Sequence, residues 1–137
     1  MGIHSIIVIK NKKNEYLQYF DNKWNSYLFL NCKLPNGEDS EAVKDKIKDT
    51  FNIDKENINI KLIGKKQHKK FSESSKTEKE YVHFFYKVDL DEELNNNNEF
   101  SLNGIDYKWL SYTDLMNNER IQKVNGDIVK FIAEYGI

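Results

Sequence analysis

The sequence predicts an α/β protein of the α+β kind, with a mixed sheet between helices. Three observations predict it. Ser5–Ile9 and Tyr81–Val88 are β-branched and aromatic runs, the composition of strands that pack on a pleated, buried surface. Ile58–Ile63 alternates apolar Ile58, Ile60 and Leu62 with polar Asn59 and Lys61, the period of a half-buried strand. Val43, Ile47 and Phe51, and later Ile121, Val124, Ile128, Ile132 and Tyr135, keep helical spacing instead.

Taken in order, Lys10–Asn14 is a polar turn after the first strand, and Tyr16–Phe20 reads as its returning partner. Asp21–Asn25 is a second turn, and Tyr27–Leu30 a third strand that delivers the chain to a loop containing Asn36-Gly37. The helix over Ser40–Phe51 opens at Asp39 or Ser40, whose side-chain oxygens accept free backbone N–H groups. Asn52 closes it, since Asn tolerates the left-handed conformation best after Gly. The strand from Ile58 is expected to end at Gly64, with the basic run Lys65-Lys66-Gln67-His68-Lys69-Lys70 and the segment Phe71–Lys76 continuing as loop. Asp89–Glu99, acidic and then Asn-rich, is a connection without chemistry. Tyr107–Leu110 is a last strand, Ser111–Met116 a short helical turn, and the final helix is interrupted by Gly126.

At 137 residues the chain is expected to be one domain, residues 1–137. With 39% hydrophobic and 31% charged residues it is globular rather than disordered. A net charge of -1 offers no global attraction for nucleic acid or a membrane surface. The single Cys32 excludes an intrachain disulfide, no signal peptide or membrane-spanning run is expected from these residues, and Ile6 stands where a myristoylation motif needs Ser or Thr. A cytoplasmic protein is the expectation.

The stretch Cys32–Ile53 resembles the Nudix box, Gly-x5-Glu-x7-Arg-Glu-apolar-x-Glu-Glu-x-Gly-apolar. Cys32 falls on the opening Gly and Glu38 on the first Glu with the same five-residue gap, while Lys33 and Gly37 match residues often found there. After a gap one residue shorter than the pattern, Asp45 stands on Arg, Lys46 on the first Glu of the triplet, Ile47 on the apolar site, Asp49 and Thr50 on the next two Glu, Asn52 on Gly and Ile53 on the last apolar site. The Trp109-Leu110 strand end, the Asp114-Leu115 turn and the closing helix also resemble the usual C-terminal third of such proteins.

The resemblance implies a Nudix-like α/β/α sandwich. It also implies a magnesium or manganese site on the helix and a ligand of the nucleotide or nucleoside diphosphate type. Such a metal needs hard oxygen donors and polarises phosphorus while acidifying the attacking water. Of the three triplet positions only Asp49 offers a carboxylate, and Lys46 places a positive charge where a ligand belongs. The expected function is therefore a degenerate Nudix domain that binds such a ligand with weak or lost hydrolysis. The alternatives are an active pyrophosphohydrolase with a rebuilt metal site of Asp49, Glu38 and Asp45, and a protein-interaction scaffold. Asp49 and Glu38 are the candidate catalytic residues; Lys33, Lys46 and Trp24 are the candidates for substrate, Trp24 by stacking a base.

Other features carry two readings. Glu41, Asp45 and Asp49 repeat every four residues, either a solvated face balanced by Lys44, Lys46 and Lys48 or part of a relocated metal site. Lys65–Lys70 is either an edge strand protected by lysines or a phosphate site. His68 and His83 are candidate acids or bases against a structural role, with His4 a weaker one. Cys32 is read as filler rather than nucleophile, and Trp109 as core.

Overall fold

The structure, a computed structural model, describes residues 2–72, 75–95 and 97–137. Glu73, Ser74 and Asn96, assigned above to loops, lie outside the described residues, as do the side chains of Lys70 and Ser72. The strands are β1 (Gly2–Ile9), β2 (Tyr16–Asp21), β3 (Ser26–Lys33), β4 (Ile58–Ser72), β5 (Thr77–Leu90), β6 (Glu99–Leu102) and β7 (Ile105–Leu110). The helices are α1 (Ser40–Phe51), α2 (Tyr112–Asn117) and α3 (Glu119–Tyr135), with a 3-10 turn at Lys55–Asn57. Hydrogen bonding follows the order β4-β5-β1-β3-β2-β7-β6, a seven-stranded mixed sheet, so the expected α+β class is borne out. Among the described residues no helix is long and apolar enough to cross a membrane.

Two compact units are distinguishable, one of Met1–Ile7 and Asn31–Leu94, the other of Val8–Leu30 and Asn95–Ile137. In the first, β4 and β5 form a long antiparallel hairpin from Ile58↔Leu90 to Ser72↔Thr77. The expected end of the strand at Gly64 is corrected here. The register shifts between Leu62 and Gly64, and the strand then continues. An interior Gly marks a bulge as readily as a strand end, and β5 supplies the partner that carries the strand on. The basic run thus lies on β4, at one end of the strand order. Lysines on such an edge discourage pairing with another chain.

In the second unit β2 pairs with β3 from Gln18↔Phe29 to Asp21↔Ser26, and with β7 from Tyr16↔Leu110 to Tyr19↔Tyr107. β6 is not among the elements expected from the sequence. Its signal is Asn103-Gly104, which stand at φ 52 and 79 between Leu102 and its partner Ile105, the backbone a two-residue hairpin turn requires. Ser111 and Asp114 close a capping box at the start of α2. The break in α3 falls at Asn125 (φ -132), one position before the glycine expected to cause it. Trp109 is buried, as expected of a core residue, and donates through Nε1 to the Asn95 carbonyl at 3.2 Å.

Candidate functional site

The loop before α1 is shaped by local chemistry. Gly37 N donates to the Leu34 carbonyl at 3.0 Å, closing a turn with Pro35 in the position where its fixed φ is favourable. Gly37 itself has φ 93, which a side chain would strain. Leu34 is buried and its N–H donates to Ile3 O at 2.9 Å, anchoring the loop to β1.

Asp39 then caps α1, accepting from Ala42 N at 3.0 Å, and its own N–H donates to the Tyr86 hydroxyl at 3.1 Å. Val43 and Ile47 are fully buried, and burial of each contributes roughly 1.5–3 kcal/mol. Asn52 closes the helix in the left-handed conformation (φ 56, ψ 46), its N–H bonded to Lys48 O at 2.8 Å. It therefore takes the backbone shape for which a glycine is otherwise used.

This frame presents Lys33, Glu38, Asp45, Lys46 and Asp49 as exposed residues of the first unit. Glu38 Oε1 accepts from Ser40 Oγ at 3.1 Å. Asp45 Oδ1 lies 2.5 Å from Lys55 Nζ, which also reaches Glu41 Oε2 at 3.2 Å. The contact with Asp45 and then that with Glu41 raise the Lys55 pKa, so its ammonium holds its proton more tightly. Thr50 Oγ1 turns back to the Lys46 carbonyl at 2.6 Å. Among the described residues no hydrogen bond or ion pair engages the Asp49 side chain. Trp24 belongs to the second unit, in the β2–β3 turn, where its N–H donates to Asp21 Oδ1 at 3.0 Å and its carbonyl accepts from Arg120 Nε at 3.1 Å.

The face of Glu41, Asp45 and Asp49 is thus balanced at two of its three carboxylates by Lys55, beyond the helix, rather than from within it. Sequence reasoning missed Lys55. Its only signal was its place just past the left-handed turn at Asn52, which sends the chain back along the helix surface.

Magnesium asks for near-octahedral oxygen coordination, and the residues present do not fit that demand. One triplet position carries a carboxylate, a second carries an ammonium, and Asp45 already holds a cation of the chain's own. Among the described residues no three Asp, Glu, His or Cys side chains converge in a way that could hold a metal ion.

Elsewhere in the first unit, Ser5 Oγ is buried and accepts from Cys32 N at 3.1 Å, with Cys32 Sγ also 3.1 Å away. His68 and His83, far apart in the sequence, are neighbours: Nε2 of the first and Nδ1 of the second are 2.8 Å apart. The His4 pKa is lowered by burial and, less, by the charge of Lys33.

No family profile and no curated protein matches the sequence. Solved structures do resemble the fold. An Ap4A hydrolase of C. elegans matches at TM-score 0.57 and 20% identity, covering 97% of each chain. A hydrolase of the Nudix family from Clostridium perfringens matches at TM-score 0.58 and 15% identity, covering 98% of this chain and 94% of that one. An ADP compounds hydrolase matches at TM-score 0.55 and 11% identity, covering 97% of this chain and 71% of the other. At such identities the likeness is one of fold.

Proposed function

We propose, for a chain whose fold is that of the Nudix hydrolases, that it binds a nucleotide or nucleoside diphosphate type ligand and has weak or no hydrolytic activity. The observation that carries this reading is the Lys55 ammonium seated between Asp45 and Glu41. Lys46 puts positive charge on a triplet position, where a hydrolase of this fold would hold a ligand for a divalent ion, and Lys55 neutralises the carboxylates of the neighbouring helix face. Phosphate oxygens would meet Lys33 and Lys46 of the first unit. The named substrates of the similar structures, Ap4A and ADP compounds, support beginning with adenine nucleotides. We take the protein to act in the cytoplasm.

The test is a thermal shift series with adenine and other nucleotides, each with and without magnesium or manganese. A ligand that binds only the folded state raises the melting temperature by mass action. At least one nucleotide should stabilise the protein without a divalent ion. Stabilisation that requires magnesium, together with release of a mononucleotide or phosphate, would instead support an active hydrolase built on Asp49, Glu38 and Asp45. No response to any nucleotide would support an interaction scaffold.

A further inference from the structure

All three histidines of the chain, His4, His68 and His83, meet in one cluster of the first unit. His68 on β4 and His83 on β5 have ring centroids 5.0 Å apart. The His4 ring lies 6.1 Å from His83, and Tyr81 stacks on His83 at 5.7 Å and 12°. His83 is buried and His68 half-buried. The continuous pairing of the two strands around them, Lys66↔His83 and His68↔Tyr81, holds the backbones that carry the rings.

A hydrogen bond between two imidazoles uses an N–H of one ring and a lone pair of the other. Those two nitrogens are also the donors that a borderline divalent transition metal prefers, and that magnesium does not. We propose that His68 and His83 form a two-histidine site for a transition metal of the zinc, nickel or copper class, with water completing the coordination. The facing nitrogens are 2.8 Å apart; two nitrogens bound to one tetrahedral zinc stand about 3.3 Å apart, from bond lengths of about 2.05 Å. Binding would turn the two rings about their side-chain bonds, parting the nitrogens by about half an ångström and aiming both lone pairs at one point.

For a neutral pair, the ring that donates moves its proton to its other nitrogen by exchange with solvent. Both facing lone pairs are then on the metal, and the number of protons is unchanged. Lys66, opposite His83, and Lys33, beside His4, oppose a dication, so affinity should be micromolar rather than that of a structural zinc site.

Calorimetric titration of the full chain with zinc chloride, and separately with magnesium chloride, tests the proposal. One zinc per chain is expected at the pair. His68→Gln should weaken binding at least about tenfold, since it removes a ligand, and His68→Cys should restore it, because a thiolate is a zinc ligand. Melting curves of each variant verify that it is folded, and His68 is chosen over buried His83 for that reason. Absence of zinc binding by the parent, or equal binding by folded His68→Gln, would overturn the assignment.

Discussion

The hydroxyl of Tyr86 accepts the backbone N–H of Asp39 at 3.1 Å, tying the residue that caps α1 to the middle of β5. Tyr86 has no exposed surface, so the tether is held by packing as well as by the bond. It sets where the helix carrying Asp45, Lys46 and Asp49 begins. Tyr86→Phe keeps the ring and removes the acceptor. Chemical denaturation should show a loss of about 0.5–1.5 kcal/mol, the usual net worth of one hydrogen bond. An unchanged midpoint would mean that solvent replaces the hydroxyl without cost.

Removing the internal cation should uncover the acidic face. In Lys55→Met the carboxylates of Glu41 and Asp45, one helical turn apart, repel each other. A divalent ion relieves that repulsion. Magnesium or calcium at a few millimolar should therefore raise the melting temperature of the variant and leave the parent unmoved. A parent that responds as strongly as Lys55→Met would show that Lys55 does not stand in for the ion.

Restoring two triplet carboxylates should go further. Lys46→Glu with Thr50→Glu adds two acids near Asp49 and removes the Thr50 Oγ1 bond to Lys46 O. Without metal the added groups repel one another, so their pKa values should be raised, and should fall when metal binds. Calorimetry should detect magnesium binding in the double variant and none in the parent. Tight binding by the parent would sink the degenerate-site reading, and none by the variant would mean that α1 is not placed as a Nudix helix.

The alkaline limit of stability should be set by tyrosines. Burial raises the pKa of Tyr16, Tyr86 and Tyr107 above the ordinary 10.0. A raised folded value means that the unfolded chain loses its protons first. Stability is then fully present below about pH 10 and falls as pH rises through the folded values. Melting temperature followed from pH 8 to pH 11 should bend downward near pH 10, and Tyr107→Phe should soften the bend. A curve that stays flat across this range would mean that the three hydroxyls titrate alike in the folded and unfolded chains.

The Cys32–Ile53 stretch was legible because its determinants are local. Asp39 caps, Asn52 takes the left-handed turn, and Val43 and Ile47 bury themselves. Each of these follows from the side chain's own size, polarity and spacing. The same locality let Ser5–Ile9 be read as a strand buried on both faces, and all five residues are buried. Gly64 misled, since a residue without a side chain is compatible with both a strand end and a bulge, and only the partner strand distinguishes them. The candidate ligands of the box were legible as residue types at family positions, whereas their neighbours were not.

By itself, then, the sequence determined the α+β class, α1 with the caps that bound it, and most of the strands, though not β6 or the full length of β4. Tertiary structure alone decided which charges and rings meet. It carried β4 past Gly64 by pairing it with β5, brought Lys55 to Asp45, and set His68 beside His83. Such contacts depend on strand register and on the direction a chain takes after a turn. Neither is written in the composition of either partner, because a shift of one residue along a strand would turn each side chain to the opposite face.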